Sequence, residues 1–162
     1  MSLDGVSIGL FGASLAVFLA GIGSAIGVGI AGRSAAGVLS EKPERYGALF
    51  LLVVLPSTQG IYGFLVGFTL LGKLVGTGAV ALTVAQGWTI LAACLPVAFA
   101  GLFSGIHQGK VCASGILMAA KRPEMAFKAG VIYAVMVELY AVLGWLVSTM
   151  ATNNLFTAMQ GS

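Results

Sequence analysis

The sequence is short of charge. Only 8% of its 162 residues are Asp, Glu, Lys or Arg, against about 25% in a soluble domain, too few to cover a water-exposed surface. That excludes a soluble globular protein. Acids are scarcer still, five against eight bases, and the net charge of +3 comes from lysines and arginines near the ends of apolar runs. No basic cluster has the density or the interleaved aromatics of a nucleic-acid surface, so nucleic acid is not an expected partner. Cysteine is nearly absent: Cys94 and Cys112 lie inside apolar stretches and read as small core residues. With one histidine, His107, and neither a CxxC nor an HxxxH spacing, a zinc centre lacks its ligands. The N-terminus, MSLDGVSIGL, carries an acid and no basic stretch. It does not read as a cleaved signal peptide, and the first apolar run is expected to be its own anchor.

What the chain has is apolar length and glycine, 59% hydrophobic residues and 24 glycines. Four apolar runs extend from about Ile8 to Leu39, Tyr46 to Leu71, Gly87 to Ala120 and Met125 to Met150, each near or above the roughly 20 residues that span a bilayer. The expectation is an all-α membrane protein of four transmembrane helices, the first and third projecting beyond the hydrocarbon. Two connectors are short and charged, SEKPER at Ser40–Arg45 and KRPEM at Lys121–Met125; the middle one, about Gly72 to Gln86, holds only Lys73. Lys42, Arg45, Lys121, Arg122 and Lys128 gather at the short connectors, with Arg33 and Lys110 in the helix ends leading towards them. By the positive-inside rule these connectors are cytoplasmic, and both termini and the middle loop face out, in a multi-pass protein of the cell membrane.

The chain also repeats. At an offset of 80 residues Ala20-Gly21 matches Ala100-Gly101, Ser24 matches Ser104, Gly29 matches Gly109, and Pro43-Glu44 matches Pro123-Glu124. Residues 1–80 and 81–162 therefore read as two duplicated helical hairpins in parallel topology. Small residues recur every fourth position at Gly21, Ala25 and Gly29, and at Gly101, Gly105 and Gly109. Such stripes let transmembrane backbones approach closely and suit an inner layer of a closed homo-oligomeric ring. Gly27–Gly32 satisfies GxGxxG but follows no strand, so no dinucleotide is expected.

One acid interrupts the fourth run. Glu138 is the only charged residue after Lys128, and a carboxylate at such depth marks an ion path or proton relay unless it is partnered. In the second run Leu55, Thr58, Gln59 and Tyr62 share one helical face at i, i+3, i+4 and i+7. Thr58 and Gln59 follow Glu44 by 14 and 15 residues, Glu138 follows Glu124 by 14, and Gln108 precedes Lys121 by 13. At a rise of about 1.5 Å per residue all of them lie ~20 Å from a connector, in one layer. The same offset of 80 puts Thr58 where Glu138 stands, so the first hairpin has no acid of its own. One carboxylate among neutral oxygens gives a site of charge −1, matched by a monovalent cation or a proton; a divalent ion usually recruits more acids. Pro56 leaves the Leu52 carbonyl without its helical donor and tends to kink the helix, so nearby carbonyls such as that of Leu55 can turn towards an ion. His107 points about 100° from Gln108 on the helix and reads as packing. Trp88 and Trp145 are placed in the outer interfacial belt.

Two fused hairpins, small-residue stripes on the odd helices, the KPE and RPE connectors, and one mid-membrane glutamate resemble the 16-kDa proteolipid of V-type rotary ATPases, also called the K or c subunit. LPSTQGIYGF, FSGIHQGK and MVELYAVLG are similar to its bacterial sodium-translocating branch. The resemblance implies a rotor ring of identical copies, turned by ATP hydrolysis in a separate catalytic head. The chain is then not an enzyme on its own and uses no organic cofactor. Each ion-loaded glutamate passes a stator subunit with a buried arginine, and the cytoplasmic connectors meet the central stalk, with lipid around the ring. Matched positions imply that sodium is held by the Leu55 main-chain carbonyl, Thr58, Gln59, Gln108 and Glu138, with Tyr62 hydrogen-bonding the glutamate. One ion per four helices lowers the ions moved per turn of a given ring and so suits a pump. A proton-translocating rotor of the same fold and a small four-helix cation-coupled antiporter are the alternatives. The first makes Gln59 and Gln108 superfluous, and the second calls for a dimer with an aromatic cavity.

Overall fold

Four long apolar helices make up the protein, seen in a computed structural model that describes residues 4–76 and 81–160, side chain of Gln160 excepted. They are α1 Gly5–Glu41, α2 Pro43–Val75, α3 Val84–Lys121 and α4 Ala126–Met159, of 37, 33, 38 and 34 residues. Each is long and apolar enough to cross a membrane, and at about 1.5 Å per residue α1 and α3 far exceed a hydrocarbon core of ~30 Å. The expected projection of these two helices is present, and α4 continues well past the expected end at Met150. The expected boundary between hairpins, 80/81, adjoins residues 77–80, which lie outside the described residues.

Helix ends are set by side chains that meet orphan backbone groups. The Asp4 carboxylate accepts from the Ser7 N–H at 2.7 Å at the start of α1. Thr83 and Gln86 form a reciprocal capping box at the start of α3. At the connectors, Lys42 Nζ donates to the Ala120 carbonyl at 2.7 Å, so the first connector closes the last turn of α3. At the opposite end Lys73 Nζ donates to Asn153 Oδ1 at 2.7 Å and lies over the Phe156 ring, tying α2 to α4. Arg33 and Lys110 are exposed; the one ion pair among the described residues joins Arg45 and Glu44.

α1 and α3 pack along most of their length, and glycine is the reason. A Cβ on Gly23 would lie 2.5 Å from the Gly101 oxygen, one on Gly12 2.6 Å from Leu91 Cα, and one on Gly105 2.6 Å from the Gly23 carbonyl carbon. The expected stripe on α3, Gly101-Gly105-Gly109, is the one in contact. The expected stripe on α1 is not: nothing approaches Gly21 within 4 Å, and Gly29 meets only its own helix's Arg33 side chain. Gly12, Gly23 and Gly27 take its place, on a different azimuth of the same helix. α2 rides on α1 where Gly63 meets Ala16 and Ala20, and α4 rides on α3 where Gly144 meets Pro96 and Ala100. The structure thus has an inner pair, α1 and α3, and an outer pair, α2 and α4.

Two apolar clusters fill the bundle. Val66, Leu70, Leu74, Ile90, Val97 and Phe156 lie towards the termini; Leu49, Leu52, Cys112, Ile116 and Ala134 lie towards the connectors. Cys94 and Cys112 are buried within them. Large apolar side chains also face outward, among them Phe18, Phe68, Tyr140 and Met150 at 62%, 62%, 69% and 63% exposure, as expected where lipid or another chain replaces water.

Two outcomes follow from these contacts. Gly105→Val drives a branched side chain into backbone that has no rotamer to yield, so it lowers thermal stability in detergent by at least the about 1–3 kcal/mol typical of overpacking. Gly37→Ala, with nothing within 4 Å, leaves stability unchanged or raises it. The Ser7 backbone N–H holds the Asp4 carboxyl below the usual carboxylate range. Its cap on α1 is therefore present at neutral pH and lost as pH falls through that lowered value, and hydrogen exchange of the first turn reports the fraying.

Candidate functional site

Between the two apolar clusters lies a polar layer. Pro56 has no N–H to offer Leu52, and α2 tightens into a 3-10 turn over Leu55–Ser57 before resuming at Thr58. Just beyond this break α1 makes contact: the Gly60 N–H donates to Ser24 Oγ at 2.7 Å. The turn also puts the Thr58 hydroxyl 3.0 Å from the Leu55 carbonyl oxygen and 3.5 Å from Gln59 Oε1.

From there the network crosses to α3 and α4. Gln59 and Gln108 are fully buried, where an amide without partners would cost about 1–3 kcal/mol. They satisfy each other: Gln59 Nε2 donates to Gln108 Oε1 at 2.6 Å. Gln108 Nε2 donates to the Ala134 carbonyl at 2.9 Å and lies 3.4 Å from Glu138 Oε2. Tyr62 OH donates to the other carboxylate oxygen, Glu138 Oε1, at 2.7 Å. All six residues expected from the sequence are thus brought together, Leu55 through its carbonyl and the others through side chains. Every helix takes part, α1 by Ser24.

The arrangement has a definite chemical capacity. It gathers one carboxylate, two amide oxygens, a hydroxyl and a main-chain carbonyl, and an oxygen that already accepts one hydrogen bond keeps a second lone pair. Among the described residues no group of three or more His, Cys, Asp or Glu side chains forms; this donor set is all oxygen, carries a single carboxylate and suits a small monovalent cation. Glu138 itself is half-buried, close enough to the outer surface to be reached from the side.

Three contributors were not legible in the sequence. Trp145, expected at the interface, is partly buried and stacks on Tyr62 with centroids 5.7 Å apart, so it fixes the ring whose hydroxyl meets Glu138. Ser24 and the Ala134 carbonyl also join the layer; nothing in their local sequence marks them. His107 is exposed and outside this network, in keeping with its expected direction away from Gln108.

The family of the ATP synthase C subunit matches twice, over residues 11–70 and 91–151. A V-type sodium ATPase subunit K from Enterococcus hirae is 48% identical over 139 residues, 86% of each chain. An A-type ATP synthase subunit K from Methanocaldococcus jannaschii is 38% identical over 160 residues, 99% of this chain and 68% of its own. A V-type proton ATPase 16 kDa proteolipid from Nephrops norvegicus is 26% identical over 140 residues, 86% of each.

Gln108→Leu leaves the Gln59 amide buried without its acceptor, and is expected to cost about 1–3 kcal/mol in thermal unfolding. Adding Gln59→Leu removes the stranded partner and recovers part of that loss, so the double variant melts above the single one.

Proposed function

The chain belongs to the family of the ATP synthase C subunit, and from that premise we propose that it is the rotor subunit of a V-type ATPase, carrying sodium across the membrane. It is an ion-translocating subunit of a rotary ATPase and a multi-pass membrane protein, driven by a catalytic head on other chains. The observation that carries the sodium reading is the buried pair of Gln59 and Gln108 beside Glu138. A proton needs only the carboxyl and a hydrogen-bonding neighbour, whereas two further amide oxygens serve a cation. The name of the Enterococcus hirae relative agrees with that reading.

In this reading Glu138, the oxygens of Gln59, Gln108 and Thr58, and the Leu55 carbonyl ligate the ion, and Tyr62 holds the carboxylate. A bound cation neutralises Glu138, so a loaded copy moves past lipid at little electrostatic cost while an empty charged one does not. A stator subunit with a buried arginine displaces the ion, identical copies complete the ring, and the central stalk meets the connectors on the cytoplasmic side, with both termini outside. Residues 1–80 and 81–162 act as two duplicated hairpins that share one site.

Carbodiimide labelling tests it, because the reagent attacks the protonated carboxyl. In the purified ring at one fixed pH, sodium is expected to slow labelling of Glu138, followed by mass, and Glu138→Gln to abolish it. Gln59→Leu with Gln108→Leu keeps the labelling but loses the sodium protection. If sodium never protects and only pH governs the rate, the chain is a proton rotor and the two glutamines are packing.

A further inference from the structure

Trp145 and Thr149 follow Glu138 on α4 by 7 and 11 residues, each within about 20° of it around the helix. The three side chains therefore rise along one face, from the polar layer towards the termini. A close approach of α4 to α3 holds that face against the bundle: a Cβ on Gly144 would lie 2.6 Å from Ala100 Cβ and 2.8 Å from the Pro96 oxygen. Tyr62 enters from α2 between the carboxylate and the indole. Its hydroxyl donates to Glu138 Oε1 at 2.7 Å, and its ring stacks on Trp145 with centroids 5.7 Å apart and planes at 27°. Both rings pack against the apolar cluster towards the termini.

Oxygens continue beyond the stack. Ser148 is turned to α3, where it accepts from the Val97 N–H at 3.0 Å. Thr149 is different: its hydroxyl is buried and has no partner among the described residues. Thr152 follows, and then Asn153, which accepts from Lys73 near the end of α2. A buried hydroxyl without a partner is a place where a water is held. A gap between the two rings would thus join the ion site to a column of hydroxyls leading out of the bundle.

We propose that Trp145 is a positioning residue of the ion site. By clamping the Tyr62 ring it keeps the phenol on Glu138 and closes the carboxylate off from the hydroxyls beyond, and so sets how tightly and how long sodium is held. The proposal rests on the sodium reading above and adds the residue that governs retention. Its effect passes through Tyr62. A phenol free to turn about its side-chain bonds spends part of its time away from the carboxylate, and one pinned against an indole does not. Phenylalanine at 145 can supply a ring face; leucine fills space without stacking.

The test uses the purified ring of full-length chains. Trp145→Leu is expected to raise the sodium concentration that half-protects Glu138 from carbodiimide by about 3- to 10-fold, the range an aromatic pair contributes. Bound sodium-22 leaves the ring faster by a similar factor. Trp145→Phe restores most of both, and in a Tyr62→Phe background Trp145→Leu adds no further loss. An unchanged half-protecting concentration, a Phe variant as impaired as the Leu one, or an undiminished effect without the Tyr62 hydroxyl would each overturn the proposal. Fluorescence supplies a readout that leaves the stack intact. Trp88→Phe leaves Trp145 as the sole tryptophan of two; sodium changes its emission, and Tyr62→Phe removes that change. Emission blind to sodium that still protects Glu138 overturns the proposal as well. If sodium fails to protect even the unmodified ring, the sodium reading falls, and the clamp stands on the pH profile of labelling, which Trp145→Leu shifts and Trp145→Phe does not; an unshifted profile removes the clamp too.

Discussion

A carboxylate held half-way through an apolar bundle is the constraint on which the rest of this structure depends. Its ionised form is tolerated only where donors or a counter-ion meet it, and no single helix supplies enough of them. Tyr62 from α2 and Gln108 from α3 reach Glu138 directly, Gln59 and Thr58 extend the chain behind them, and Ser24 on α1 steadies the broken turn of α2. Reaching one point from four helices demands short distances between axes. The glycines of α1 and α3 provide them, and the outer helices then lie close enough for ordinary side chains to span the gap.

The two proposed hairpins differ in the residues they bring to this site. Where the second has Glu138 the first has Thr58, a neutral oxygen next to a proline-broken turn. Ser24 accepts from the Gly60 N–H, whereas its counterpart Ser104 has no partner among the described residues. The irregular backbone differs as well. α2 tightens at Leu55–Ser57, whereas α4 opens with a π-helical stretch over Ala126–Val131, where Gly130 lies against Gly115 and Leu52. Both departures cost regular hydrogen bonds and both flank the polar layer, which fits the tolerance of irregular membrane backbone where it serves a site. On the proposed duplication, two halves that each match the family contribute to one asymmetric site.

How legible each part was in the sequence follows from how much it stands out against an apolar background. Glu138, Gln59, Gln108 and Thr58 are polar letters in apolar runs, and counting residues from the charged connectors places them at one depth. The four spans are legible for the same reason. Azimuth is not. In a chain with 24 glycines, small residues recur at helical spacing on more than one face, and the pattern cannot say which face meets α3. Gly21 and Gly23 differ by about 200° on a helix, and only packing chooses between them. Serine is ambiguous for a related reason. Ser14, Ser34 and Ser114 return their hydroxyls to their own i−4 carbonyls, while Ser24 reaches another helix with no local sign of doing so. Trp145 misled because an indole near a helix end usually marks the interface, and here it supports a tyrosine. The π stretch depends on the contact of Gly130 with Gly115, which is not a local property.

The geometry also bears on how an ion would leave. The carboxylate is held by Tyr62 and Gln108, and Tyr62 is itself held by Trp145. Release requires Glu138 to turn outward, which breaks the Tyr62 and Gln108 contacts together. Neither donor can follow, since one ring is stacked and the other amide is locked between Gln59 and Ala134. The 2.7 Å bond from Tyr62 is a charge-assisted one of about 1.5–3 kcal/mol and the 3.4 Å Gln108 contact is weaker; lipid offers the exposed carboxylate nothing in return. In the proposed rotor a stator arginine does, because a guanidinium presents two parallel donors to a carboxylate. On that proposal the network keeps the site shut except beside such a partner, and the rigidity of its neutral members, not the acid alone, makes the release selective for place.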